Sequence, residues 1–89
     1  MTVIYDKITI IGMGLIGASI ALAARRGAVV GEITGSDSNP DVEAAVTRLH
    51  LTDRFEADAA AAVTTADLVI MAVPVGAIGA LAGKIIPHM

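Results

Sequence analysis

Residues 7–17 read KITIIGMGLIG, an apolar run that leads directly into a turn with the spacing Gly-x-Gly-x-x-Gly. A strand, this turn and a helix, in that order, are typical of a βαβ unit that binds a dinucleotide. Gly12 allows a sharp turn, Gly14 leaves space for a pyrophosphate, and Gly17 lets the helix lie close to the sheet. The first N–H groups of the helix then face the phosphates, with the positive end of the helix dipole behind them.

An acidic residue follows at the distance that this motif requires. Asp37 lies about twenty residues beyond Gly17, directly after the run predicted as the second strand. Its carboxylate can accept hydrogen bonds from a ribose 2′-hydroxyl, and a 2′-phosphate at the same place would meet a like charge. No Arg or Lys occurs between Gly27 and Thr47. We therefore expect NAD in preference to NADP, and FAD stays open because it binds to the same kind of turn.

Length and composition limit the remaining possibilities. The 89 residues are 55% hydrophobic with a mean hydropathy of +0.75, a net charge of −3 and no cysteine. No basic cluster favours nucleic acid, no apolar run is long enough for a membrane span, and residues 1–7 do not form a secretory signal. We expect a cytoplasmic protein without disulfides. Because a doubly wound fold needs two halves, residues 1–89 are expected to be the N-terminal portion of an NAD(P)-binding domain.

The pattern along the chain alternates between strands and helices. Strands are predicted at residues 7–11, 29–36, 54–56 and 67–73, and helices at 14–26, 40–49, 58–63 and 75–86. In the first helix, Ile16, Ile20, Ala23 and Gly27 recur at i, i+4, i+7 and i+11, which places small and branched residues on one face. The fold class is therefore α/β, a Rossmann-type parallel sheet with flanking helices, strand order 3-2-1-4 and an incomplete doubly wound domain.

In this strand order a cleft opens between strands 1 and 4, at their carboxyl ends. Residues expected to bind the nucleotide lie in the glycine turn, after the second strand and after the fourth strand: Gly12, Met13, Gly14, Leu15, Ile16, Gly17, Asp37, Ser38, Ala72, Val73 and Pro74. The two histidines, His50 and His88, have no partners at ligand spacing, so we predict no metal site and interpret both as surface residues.

Several stretches resemble the prephenate and arogenate (cyclohexadienyl) dehydrogenases. Residues 10–21, IIGMGLIGASIA, resemble the family's G-x-G-L-I-G-[GA]-S-[LI]-A segment, and residues 72–75, AVPV, resemble its A-V-P-V segment. Residues 35–40, GSDSNP, resemble the end of the family's second strand, and residues 49–55 resemble its G-[LVI]-[IT]-D stretch. His50 departs from the pattern, because the family usually has glycine there, which predicts some strain at a helix exit.

The resemblance implies an NAD-dependent enzyme of tyrosine biosynthesis, a branch of aromatic amino acid biosynthesis. Such oxidoreductases oxidise prephenate or arogenate, release CO₂ and transfer a hydride to the nicotinamide. The family's Ser-x-Lys and His-Pro motifs do not occur here, so no catalytic residue is assigned and the chain alone is expected to be inactive. A helical domain that binds substrate and forms a homodimer is implied for the complete enzyme, and self-association is expected for these residues alone.

Two other functions stay open at this point. One is the NAD-binding part of another Rossmann oxidoreductase, such as a β-hydroxyacid dehydrogenase or an imine reductase. The other is a non-catalytic NAD-binding module. The resemblance leaves both prephenate and arogenate open as the substrate.

Overall fold

The computed structural model describes residues 5–27 and 30–89. Within these residues, four strands and four helices alternate: β1 (Tyr5–Ile11), α1 (Leu15–Gly27), β2 (Val30–Ser36), α2 (Pro40–Arg48), β3 (Arg54–Phe55), α3 (Ala59–Ala62), β4 (Leu68–Met71) and α4 (Val75–Ile85), followed by a 3₁₀ turn (Ile86–His88). Residues 1–4 and Val29 lie outside the described residues. The predicted absence of a secretory signal depends partly on residues 1–4, and the predicted start of β2 depends on Val29.

All four strands form one parallel sheet with the order β3-β2-β1-β4, so the predicted α/β fold and strand order are confirmed. Ile10 on β1 pairs with Gly35 on β2 and with Ile70 on β4. Since β4 begins after the chain has crossed from β3 at the opposite edge, the order reverses between β1 and β4. This reversal is the point at which the sequence analysis expects the cleft.

The core has two layers because the sheet is covered on both faces. Alternate residues of β1 point to opposite sides. Ile8 and Ile10 belong to one cluster, which packs against α1 and α2, whereas Ile11 belongs to a second cluster with residues of α3 and α4. Thr9, also buried, donates its hydroxyl to the carbonyl of Ala62 at 2.7 Å, which ties β1 to the end of α3.

The face of α1 that carries Ile16, Ile20, Ala23 and Gly27 is not its most buried face, although Ile20 packs against the core. Gly17 and Ala21 are the buried residues of the helix, while Ile16 is 68% exposed and Ala23 and Gly27 are exposed. Gly17 sets this rotation, because a Cβ atom there would overlap the carbonyl oxygen of Gly12. Only the side with small residues can approach the turn so closely, and the larger isoleucines are displaced toward its margins.

Hydrogen bonds at the helix ends match the local sequence. The side chain of Asn39 accepts from the N–H of Asp41 at the start of α2, with Pro40 in the first turn, and Asp58 accepts in the same way from Ala60 at α3. His50, after α2, has a φ of 52°, the left-handed conformation that glycine adopts more readily. The strain predicted at this helix exit is therefore confirmed.

Asp53 joins the segment before β3 to β2 and α1. Its carboxylate accepts from the N–H of Ile33 at 2.8 Å and lies 3.3 Å from the guanidinium of Arg25. Burial raises the pKa of this carboxyl, but the bond from Ile33 and the charge of Arg25 outweigh it and hold the pKa below its ordinary value. The charged carboxylate therefore stabilises the fold where these elements meet.

Candidate nucleotide-binding site

The glycine turn lies at the carboxyl end of β1, against the end of β4. Gly12 has a φ of 91°, and a Cβ atom there would overlap the carbonyl oxygen of Ala72 and lie 2.8 Å from a methyl carbon of Val73. Any other residue at position 12 would be strained by its conformation and would collide with the segment that follows β4. Gly12 is thus required by the sheet itself, in addition to the sharp turn predicted from the sequence.

The beginning of α1 offers unused hydrogen-bond donors. Among the described residues, no protein acceptor receives the backbone N–H of Gly14, Leu15 or Ile16; the first bond of the helix runs from the N–H of Ala18 to the carbonyl of Gly14, at 2.9 Å. The three residues are exposed, and a Cβ atom at Gly14 would meet nothing within 4 Å. Free donors at the positive end of a thirteen-residue helix can bind phosphate oxygens.

Asp37 lies directly beside this turn. One oxygen of its carboxylate accepts from the N–H of Met13 at 3.0 Å, and the other accepts from the N–H of Asn39 at 2.9 Å. The backbone adds a parallel bond, from the N–H of Gly12 to the carbonyl of Ser36 at 2.7 Å. The end of β2 and the turn are therefore joined by two adjacent hydrogen bonds, and the carboxylate has a fixed orientation.

A cleft of about 230 Å³ opens over the ends of β1 and β2. Four of the residues predicted to bind a nucleotide line it: Gly12, Asp37, Ser38 and Val73. Its other walls are formed by residues that the sequence did not single out: Ile11, Ser36, Ala57, Ala59, Ala77, Leu81 and Lys84. Ala77 and Leu81 of α4 form an apolar wall of the cleft, and Asp37 and Ser38 form a polar wall.

The other predicted residues have different positions. Gly14, Leu15, Ile16 and Gly17 form the turn and the first turn of α1 beside the cleft, and Ala72 and Pro74 flank Val73. The Met13 side chain is only 4% exposed and packs in the core near Gly35, so it faces away from the cleft. Its backbone N–H, by contrast, points to Asp37.

Residues on α4 are the main part of the site that the sequence analysis missed. Ala77, Leu81 and Lys84 are spaced at i, i+4 and i+7, so they share one face of the helix. That spacing is visible in the sequence, but which face of an apolar helix meets the cleft depends on packing. Lys84 adds a positive charge to a cleft that otherwise contains the carboxylate of Asp37.

Neither histidine lies in the cleft, since His50 follows α2 and His88 lies in the last 3₁₀ turn, both exposed. Over residues 5–27 and 30–89 there is no group of three or more His, Cys, Asp or Glu side chains placed to hold a metal ion. Within the same residues, no helix is long and apolar enough to cross a membrane.

The fold and the cleft define a nucleotide-binding α/β domain of the Rossmann type. Similarity to solved structures agrees with this class: scyllo-inositol dehydrogenase from Lactobacillus casei superposes with a TM-score of 0.74 over 99% of this chain and 27% of its own, at 19% identity. That level of identity shows the fold alone.

The particular family follows from the sequence match. Residues 20–89 match the family model described as "Prephenate dehydrogenase, nucleotide-binding domain", and the chain belongs to this family. The resemblance noted from the motifs is therefore confirmed. The glycine turn precedes the matched residues, but it falls within the longer similarities to individual proteins.

Two relatives carry these longer similarities. A cyclohexadienyl dehydrogenase from Zymomonas mobilis is 38% identical over 88 residues, which are 97% of this chain and 29% of the relative. Prephenate dehydrogenase from A. aeolicus, solved with hydroxyphenyl propionate and NAD⁺, superposes with a TM-score of 0.86 at 28% identity, over 94% of this chain and 30% of its own. The chain thus spans less than a third of the length of either relative.

Proposed function

We propose that this chain is the NAD-binding portion of a prephenate or arogenate (cyclohexadienyl) dehydrogenase. The observation that carries the proposal is the juxtaposition, at one edge of the sheet, of free N–H donors at Gly14, Leu15 and Ile16 with the fixed carboxylate of Asp37. Phosphates and a ribose diol need these two kinds of partner. The NAD⁺ in the A. aeolicus relative supports the choice of ligand.

The proposed position of the nucleotide follows from the chemistry of the cleft. The pyrophosphate binds at the beginning of α1, the adenosine ribose donates to Asp37, and the adenine lies against Ala77 and Leu81. Gly14 leaves the space that the pyrophosphate needs, since no protein atom lies within 4 Å of the position of an added Cβ. The predicted contacts of Ser38 and of residues 72–74 belong to the same proposal.

NAD is proposed in preference to NADP because of Asp37. Its carboxylate accepts hydrogen bonds from the hydroxyls of an unmodified ribose, whereas a 2′-phosphate there would be repelled. Lys84 lines the same cleft, but it extends from α4 and not from the segment after β2 that contacts the ribose. The positive charge therefore does not replace the arginine or lysine that an NADP site places after the second strand.

The activity is proposed for the complete enzyme. It would oxidise prephenate or arogenate in tyrosine biosynthesis, in the cytoplasm, as a homodimer, with loss of CO₂ and hydride transfer to the nicotinamide. The names of the two relatives support this reaction. We assign no catalytic residue within the 89 residues, and we expect no NADH to form when the chain is incubated with NAD⁺ and either substrate.

Calorimetric titration of the chain with NADH and with NADPH tests the proposal. We expect saturable binding of NADH and much weaker binding of NADPH. Gly14→Val should abolish binding without unfolding the protein, because the side chain would fill the pyrophosphate space and no protein atom lies within 4 Å of the added Cβ. Gly79→Val, an equivalent change on the exposed side of α4, is the matched control and should bind normally.

Two results would contradict the proposal. Equal or tighter binding of NADPH would show that Asp37 does not select against the 2′-phosphate. Normal binding by Gly14→Val would show that the phosphates do not lie on the glycine turn.

A further inference from the structure

The carboxylate of Asp37 does more in this structure than face the cleft. It accepts the N–H of Met13, the residue between Gly12 and Gly14, across 24 positions of sequence. Its second oxygen accepts the N–H of Asn39, and this bond orients the carboxylate before any ligand is present. Both contacts are made by backbone groups, so they do not depend on flexible partners.

Apart from the bond that Met13 donates to Asp37, the segment around Met13 is weakly held on the side that faces the cleft. Gly12 and Gly14 flank Met13, and glycines permit many backbone conformations. The bond between Gly12 N–H and the Ser36 carbonyl fixes the start of the turn, and the buried Met13 side chain fixes the far side. The N–H of Met13 is the next donor along the turn, directly before the free donors at Gly14, Leu15 and Ile16, and Asp37 holds it.

We propose that Asp37 is a positioning residue for the glycine turn, in addition to its contact with the ribose. By holding the Met13 N–H, it fixes the direction in which the following free N–H groups point toward the pyrophosphate. The inference rests on the proposed function for its consequence in binding, but the hydrogen bond acts without a nucleotide. Each carboxylate oxygen can accept more than one hydrogen bond, so the turn and the ribose hydroxyls do not compete for Asp37.

Separate measurements on the ligand-free and ligand-bound protein test this role. In the ligand-free chain, amide hydrogen exchange followed by NMR should show a protected Met13 N–H. Asp37→Ala should accelerate its exchange by about tenfold or more, as expected when a bond to a charged group is lost. The Gly12 N–H, bonded to the backbone carbonyl of Ser36, should stay protected and serves as an internal reference.

Binding is then measured with NAD and with an analogue whose adenosine ribose is 2′,3′-dideoxy. The analogue has no hydroxyl for the carboxylate to accept, so a residue that only binds the ribose would contribute nothing to its affinity. We expect Asp37→Ala to bind the analogue about tenfold more weakly than the wild type does, the size of one lost bond to a charged group. The matched control is Asn39→Ala, in the same loop, whose side chain caps α2 and does not contact the turn.

The outcomes separate this inference from the proposed function. Equal affinity of the wild type and Asp37→Ala for the analogue would overturn the positioning role, and so would an unprotected Met13 N–H in the wild type. If the wild type bound no NAD at all, the proposed function would fail, while the exchange at Met13 would still decide whether Asp37 holds the turn. An equal loss of affinity in Asn39→Ala would indicate a general effect of the loop and would also overturn the role.

Discussion

Replacing Gly17 by alanine should destabilise the protein, although alanine is the better helix former. A Cβ atom at position 17 would overlap the carbonyl oxygen of Gly12 and lie 3.1 Å from its carbonyl carbon. Because the obstacle is backbone, no side-chain rotation relieves it, and α1 must move away from the turn. Ala21, buried on the same face of α1, would then lose part of its packing against the sheet.

The expected change in unfolding free energy for Gly17→Ala follows from two opposing effects. Alanine gains about 1 kcal/mol of helix propensity over glycine. Overpacking of a rigid contact costs about 3 kcal/mol at the upper end of its usual range, which leaves a net loss of about 2 kcal/mol. In a domain of this size that loss lowers Tm by about 8–16 °C.

Gly79→Ala is the matched control, since a Cβ atom there meets nothing within 4 Å. This variant keeps only the propensity gain and should raise Tm by about 4–8 °C. Thermal unfolding followed by circular dichroism measures both variants. A Gly17→Ala protein as stable as the wild type would refute the reasoning that the close contact between α1 and the turn requires glycine.

Three further predictions concern charge and association. Lys84→Glu should weaken NADH binding several-fold at low salt, because it places a negative charge in the cleft, whereas the same change at Arg48 on α2 should have little effect in calorimetry. Asp53→Asn should lower the free energy of unfolding at neutral pH. Because the folded-state pKa of Asp53 is lowered, the difference in unfolding free energy between wild type and variant, measured with urea, should shrink as pH falls below about 4. A difference that stays constant with pH would exclude a role for the charge. The chain should self-associate through β4, whose outer edge pairs with no strand among the described residues; sedimentation velocity showing a monomer at every concentration would refute this.

The parts of the fold that depend on local chemistry were predictable from the sequence. The glycine spacing, the apolar strands and the cap at Asn39 are properties of short segments, and they predict a Rossmann-type fold, whose usual strand order is β3-β2-β1-β4. The buried face of α1 was not predictable in the same way. Its rotation is decided by the contact of Gly17 with Gly12, and a hydrophobic stripe that includes Ile16 suggests a different face.

The candidate site likewise has a part that the sequence predicts and a part that only the packing shows. The turn and Asp37 carry a recognisable motif, whereas Ala77, Leu81 and Lys84 line the cleft only because α4 packs against α3 and the end of β1, on the face of the sheet where the cleft lies. The bond between Asp37 and the Met13 N–H joins residues that are far apart in the sequence. Motif spacing predicts that an acid lies near the ribose, but it contains no information about a backbone donor in the turn.

The most direct test of the account is an NMR titration of the chain with NADH, in which the amide resonances that shift identify the site. We expect the largest shifts at residues 12–17, at Asp37 and Ser38, at Val73 and at Lys84, all with one dissociation constant. The apolar groove between α1 and β4, which includes Tyr5, Ile20 and Leu68, should be unaffected. Shifts confined to that groove, or no shifts at saturating NADH, would contradict the claim that the nucleotide binds between the glycine turn and Asp37.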